Sequence, residues 1–196
     1  MLFSNYTDFR LTLVDYLKRS DLDLEIARFI KMAEDRFNRE IRHPDQIGAP
    51  VAIAMVNGVG ALPADFIAFE NLWDASGNKI EGVAKEISFG VYKDPFTYYV
   101  QDNSIYSGSV TGNLTADYYA KLPTLTTTAT TTNWLLSKYP TVYLYGTLHQ
   151  AFEFLRDRDN AQYYNDMAKG EIKTANIDGY RKRFAGAVVV PQGIER

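Results

Sequence analysis

Residues 20–44 read SDLDLEIARFIKMAEDRFNREIRHP and residues 51–61 read VAIAMVNGVGA. The change of hydrophobic period between them decides the fold. In the first stretch Leu22, Ile26, Phe29, Ile30, Ala33, Phe37 and Ile41 recur at helical spacing on one face, and Arg28, Lys31, Asp35, Arg39 and Arg42 lie on the other. Ser20, with Asp23 three residues on, forms an acidic variant of a capping box at its start. Pro44 cannot continue a helix and biases His43 toward an extended conformation, which stops the helix near Arg42. From Val51 the 3.6-residue period is lost. Short runs rich in Val, Ile, Tyr, Phe and Thr follow between turn signals, as strands require.

Upstream, Phe9, Leu13, Tyr16 and Leu17 predict a short helix to about Lys18 behind a cap at Thr7. Downstream, strands are expected near 51–56, 66–74, 79–83, 96–101, 104–107 and 114–120. Asn57-Gly58 supplies a tight hairpin turn and Ala75-Ser76-Gly77-Asn78 a second reversal. Thr124–Thr132 has seven Thr in nine residues, without charge or period, and reads as a connector. Helices then resume: a short one over Trp134–Lys138, one opened by Pro140 with Leu144, Leu148, Ala151, Phe152 and Leu155 on one face, and one from Asp159 or Asn160 past Tyr164, Ala168, Ile172 and Ala175. Gly170 and Gly179 interrupt the propensity of this last helix. The order helices, strands, helices predicts an α+β fold. Its N- and C-terminal helices (1–44 and 133–186) form one bundle, with an antiparallel β module (45–132) inserted and an apolar tail (187–196) after it.

The 196 residues correspond to one domain, or two small ones sharing a core, against a prior of about 150 per domain. Residues 1–44 hold 8 acidic and 8 basic side chains, 45–132 hold 9 and 4, and 133–196 hold 7 and 9. The outer parts are thus charge-rich and balanced, as solvated helix faces are, and the middle is charge-poor and acidic. Cysteine is absent, which excludes disulfide scaffolds, thiol nucleophiles and thiolate metal sites, and two histidines leave little for imidazole centres. No apolar run reaches the roughly 18 residues of a membrane span. Asp8 and Arg10 stand where a signal peptide would be apolar, so a soluble chain without a secretion signal is expected. Asn5-Tyr6-Thr7 and Asn113-Leu114-Thr115 then match the glycosylation pattern by chance.

Motifs that carry chemistry are scarce. There is no GxGxxG or GxxxxGK[ST], and Gly108–Gly112 has Val110 where a nucleophile elbow needs Ser. His149 and Glu153, four apart on a helix, have the spacing of two metal ligands or of a base and its orienter, but no third ligand joins them and a helix-surface pair is the preferred reading. Asp94, Asp102 and Asp117 fall among Tyr98, Tyr99, Tyr106, Tyr118 and Tyr119, a composition that fits sugar stacking and paired carboxylates, and fits half-buried cross-strand pairs better. Arg156, Arg158, Lys169, Lys173, Arg181, Lys182 and Arg183 are interleaved with acids, more like a solvated helix face than a nucleic-acid site.

Several stretches in order carry a resemblance: Leu62-Pro63-Ala64-Asp65-Phe66 opening a strand, Asp117-Tyr118-Tyr119-Ala120-Lys121-Leu122-Pro123 closing the β module, Asn133-Trp134-Leu135-Leu136, and Tyr143-Leu144-Tyr145 with Leu148. Together they resemble the head-to-tail adaptor (connector) proteins of tailed bacteriophages, of podophage type, similar in architecture to tail tubular protein A. The resemblance implies a non-enzymatic structural subunit of the virion, made in the host cytoplasm and without cofactor or metal. It implies a homo-oligomeric ring of about twelve copies, a dodecamer, beneath the portal. Portal protein and tail or nozzle proteins are the implied partners, with DNA passing through the channel without specific binding and no membrane involved. Under it, Arg28, Lys31 and Arg39 and the Asp157, Asp159, Asp166 region are expected near subunit boundaries, and Val188, Val189, Val190 and Pro191 at the portal. The alternative is a carbohydrate-binding or glycan-degrading tail component built on the aromatic β module.

Overall fold

The computed structural model describes residues 3, 5–19, 21–83, 96–107 and 112–184. The fold is α+β, and the chain divides into two compact units, Met1–Pro44 with Pro123–Arg196, and Asp45–Leu122. The Thr-rich connector therefore belongs with the helices, where the sequence reading had placed it with the strands.

In the helical unit α1 (Tyr6–Leu17) is capped by Asn5, whose side chain accepts the Asp8 N–H. Thr7, the expected cap, lies inside the helix. Tyr6, Phe9, Leu13 and Leu17 form its buried face, and Tyr16, at the edge of that stripe, is exposed. α2 (Ile26–Glu40) begins later than the capping-box reading predicts. Asp23 pairs with Arg10 of α1, the N-cap of α2 is Glu25 with no side-chain cap bond, and Ser20 lies outside the described residues. Its end agrees with the proline argument: Ile41 turns to an extended conformation at φ −101°, ψ 132°. All seven residues of the expected apolar face are buried. Fully buried aliphatic and aromatic side chains of this kind contribute about 1.5–3 kcal/mol each.

The second half supplies α3 (Trp134–Lys138), α4 (Pro140–Phe154, with Pro140 in its first turn) and α5 (Arg158–Phe184). Tyr143 of α4 sits between Phe9 and Phe37, with ring centroids 5.7 and 5.2 Å away and both contacts edge-on. Gly146 permits this approach: a Cβ there would stand 2.5 Å from the Phe37 ring. α5 is continuous for 27 residues through Gly170 and Gly179, and it starts at Arg158 because Asp157, one residue before, accepts the N–H of Asn160. Its buried positions are Ala161, Ala168, Ile172, Ala175 and Gly179, a mostly small stripe that lets the helix lie close to its neighbours.

Among the described residues the β unit has seven strands: β1 (Val51–Met55), β2 (Val59–Ala61), β3 (Phe66–Trp73), β4 (Glu81–Gly82), β5 (Thr97–Gln101), β6 (Ser104–Ser107) and β7 (Gly112–Ala120). They form a three-stranded sheet in the order β1-β7-β3 and a four-stranded one in the order β2-β6-β5-β4. The Asn57-Gly58 turn is present, with φ of 52° and 78°, and it joins β1 to β2, a three-residue strand too short for sequence alternation to reveal. The module is not wholly antiparallel, since β4 pairs with β5 in parallel. Ile53, Met55, Leu62, Leu72, Ile80, Ile105, Leu114 and Ala116 make its core.

Candidate functional site

The charged residues expected at subunit boundaries lie on the surface of the helical unit in two separate groups. Arg28, Lys31 and Arg39 project from the exposed face of α2, opposite Phe29, Ile30 and Phe37. Arg28 pairs with Glu25 at 2.9 Å and Lys31 with Asp35 at 2.9 Å, local contacts of the kind that hold a helix surface in place. The acids belong to the start and middle of α5. Asp157 caps the helix, accepting the Asn160 backbone N–H at 3.2 Å and its side-chain amide at 2.7 Å, bonds that hold its carboxyl below the usual carboxylate range. Asp159 is exposed in the first turn. Asp166 accepts both 2.9 Å bonds from Gln162 and stands 3.9 Å from Lys169. Among the described residues no ion pair joins the basic group to the acidic one.

Large apolar side chains are exposed on the same unit: Leu24 (92%), Tyr180 (65%), Leu11 (60%), Tyr163 (57%), Phe154 and Phe184. Beside Tyr180 a cavity of about 500 Å³ opens between the end of α2, at Glu40, and α5, where Lys169, Ile172, Lys173 and Ile177 line it. Asn176 also lines it and ties the two elements together, accepting the Arg42 N–H at 3.0 Å and donating to the Glu40 carbonyl at 3.0 Å. Exposed aromatic and aliphatic side chains flanked by charge are the chemistry of protein contact.

One internal polar cluster escaped the sequence reading. Glu34 is fully buried on α2, where its Oε1 accepts the Leu125 N–H of the connector at 2.9 Å and the Tyr143 hydroxyl at 3.2 Å. Asn133 donates to the same hydroxyl at 2.6 Å and to the Pro123 carbonyl at 3.0 Å, and its Oδ1 accepts the Leu136 N–H that opens α3. Burial pushes the Glu34 carboxyl above its usual range, the hydrogen bonds opposing this, and burial followed by the charge of Glu34 raises the Tyr143 hydroxyl. A second clamp on the connector is the 2.7 Å bond from the Tyr6 N–H to the Thr131 carbonyl. The available signal was Glu34 itself, an acid at helical spacing from Ile30 and Phe37 inside an apolar stripe.

His149 lies with its Nδ1 3.1 Å from the Ala161 carbonyl, a bond between α4 and α5. Among the described residues no three His, Asp or Glu side chains gather to hold a metal ion, and no described helix is long and apolar enough to cross a membrane. Tyr99 and Tyr106 stack at 4.8 Å as a cross-strand pair, the Tyr118 hydroxyl is bonded to Asp65 and the Tyr119 hydroxyl to Glu70. Asp102 forms the β5–β6 turn with Asn103, both at positive φ, and Asp117 pairs in register with Asn71. Nothing in this arrangement supports the carbohydrate alternative. Asp94 and the segment Val188, Val189, Val190 and Pro191 lie outside the described residues.

The chain is a two-unit α+β protein with apolar and charged side chains exposed on its helical unit. The model of the family described as SU10 adaptor protein matches residues 4–191. The chain belongs to the SU10 adaptor protein family and is a bacteriophage adaptor, a structural class rather than an enzyme class, whose role implies contact with portal and tail components of the virion. Comparison with curated proteins found no match.

Proposed function

We propose that this adaptor is the subunit of a ring, a dodecamer, seated beneath the phage portal, joining capsid to tail and lining the channel through which DNA leaves, in a podophage-type connector similar to tail tubular protein A. The observation that carries this reading is the family match across residues 4–191, nearly the whole chain. The two separate charge groups suit it. A ring subunit meets its two neighbours through different patches, a heterologous contact that closes at one rotation. The basic face of Arg28, Lys31 and Arg39 on one copy then meets the Asp157, Asp159 and Asp166 region of the next. The apolar Val188-Val189-Val190-Pro191 segment takes the portal as its partner, either as an added strand or in a groove. Net charge −3 suits a passage that a polyanion slides through without being held, since each neutralised phosphate adds salt-sensitive affinity. The protein is made in the host cytoplasm and ends in the virion.

The test is electron microscopy of the protein mixed with portal particles. A closed ring of added density at the portal vertex is the expected result. Open filaments, or decoration away from the vertex, would overturn the ring.

A further inference from the structure

Four tyrosines from three helices of the helical unit gather on one face: Tyr16 of α1, Tyr145 of α4, and Tyr163 and Tyr164 of α5. Tyr164 stacks on Phe152 of α4 at 5.3 Å, stands 6.2 Å from Tyr145, and meets Tyr163 edge-on at 5.1 Å. Burial first raises the Tyr145 and Tyr164 hydroxyls, and Tyr16 is close enough to add to both. Tyr145 and Tyr164 are half-buried, while Tyr163 and Tyr16 are 57% and 47% exposed. The face is also acidic. Asp159 and Asp166, four residues before Tyr163 and three after it, share its side of α5, and Asp15 precedes Tyr16. Asp15 and Asp159 form no ion pair among the described residues. An exposed ring with carboxylates at its edge offers a planar cation both a π face and a counter-charge.

A cation of that kind stands elsewhere on the same unit. On the exposed face of α2, Arg28 pairs with Glu25 and Lys31 with Asp35, whereas Arg39 has no hydrogen bond or ion pair among the described residues. Met32, 47% exposed, lies seven residues before Arg39 on the same face. Helix α4 stands between this ridge and the tyrosines. Its Tyr143 and Gly146 turn toward Phe37 of α2, and Tyr145 and Phe152 lie about 140° around α4 from them, at about 100° per residue. Within one chain Arg39 and the tyrosines are on different sides of α4, so a contact between them takes a second copy.

We propose that the tyrosine face is the seat of a second copy's α2 ridge, with the Arg39 guanidinium laid over the Tyr163 ring between Asp159 and Asp166. This rests on the ring reading given above and names the anchor of its subunit contact. Each copy gives Arg39 to one neighbour and receives another at Tyr163, the head-to-tail pattern that a ring closes. Tyrosine and arginine are the residue types in which interface energy concentrates.

The test mixes tagged and untagged full-length copies, with and without portal particles, and titrates the untagged copy captured on the tag. Arg39→Ala and Tyr163→Ala should each raise the concentration for half-capture at least tenfold, and Tyr163→Phe, which keeps the ring, less than twofold. Together the two alanines should weaken capture no further than the weaker single variant, because both remove one contact. Arg39 is exposed and without a partner among the described residues, so Arg39→Ala keeps the fold and the test does not depend on how Tyr163→Ala melts. Capture by either alanine variant equal to that of the parent, effects that multiply in the double variant, or no capture between parent copies would each overturn the seat. Electron microscopy of the same mixtures separates the two readings. Open filaments held through Arg39 and Tyr163 would sink the ring and leave the seat standing, whereas closed rings built by both alanine variants as readily as by the parent would sink the seat and leave the ring.

Discussion

Replacing Glu34 with Ala removes an acceptor that holds the connector to α2. The Leu125 N–H and the Tyr143 hydroxyl, among its donors, would be left without it at a fully buried position. A buried donor stripped of its acceptor costs about 1–3 kcal/mol, so the pair amounts to roughly 4 kcal/mol at mid-range. For a chain of this length about 2–4 °C accompanies each kcal/mol, and the melting temperature followed by helical circular dichroism should fall by roughly 8–16 °C. Glu34→Gln keeps the accepting oxygen and should stay within a few degrees of the parent at pH 5. The pH dependence separates charge from shape. Burial raises the folded carboxyl above its unfolded value, so the folded state holds the proton more tightly. This stabilising contribution is complete below the unfolded value and is lost as pH rises through the folded one. The parent should therefore lose stability relative to Glu34→Gln as pH is raised from 4 upward. An Ala variant melting within 1–2 °C of the parent, or a Gln variant with the same pH slope, would refute the clamp.

Gly146→Ala places a Cβ 2.5 Å from the Phe37 ring, and this overpacking should cost about 1–3 kcal/mol, read as a lower urea midpoint and recovered in part by Phe37→Leu. Charge reversal at Arg28, Lys31 and Arg39 should abolish ring formation on portals while leaving the melting temperature of the free protein nearly unchanged; combined reversal of Asp157, Asp159 and Asp166 should restore rings. Rings formed by the singly reversed set would remove that stripe from the interface. Duplex DNA titrated into the free protein at 150 mM salt should show no submicromolar binding by fluorescence anisotropy, and a submicromolar result would contradict a passive conduit.

Elements governed by neighbours along the chain were legible beforehand. The period of Ile26, Phe29, Ile30, Ala33 and Phe37 marks a buried helix face, Pro44 ends that helix within four residues of Glu40, and Asn57-Gly58 turns a hairpin, because periodicity, a missing N–H and permitted φ are local properties. The Leu62–Phe66 and Asp117–Pro123 stretches carried the family resemblance because they are contiguous in sequence. Tertiary structure decided the rest. Asn5 rather than Thr7 caps α1, and Asp23 pairs with Arg10 of α1, since a side chain goes to whichever partner the fold brings near. Strand β4 runs parallel to β5, a pairing between distant segments that no alternation of residues encodes. The connector, without period or charge, is held by Glu34 from 91 residues away, and Glu34 meets Tyr143 across 109. An acid on an apolar stripe can be seen in a sequence; the donors that make its burial tolerable exist only once the chain has packed, because desolvation and hydrogen-bond geometry depend on distances that sequence separation does not set.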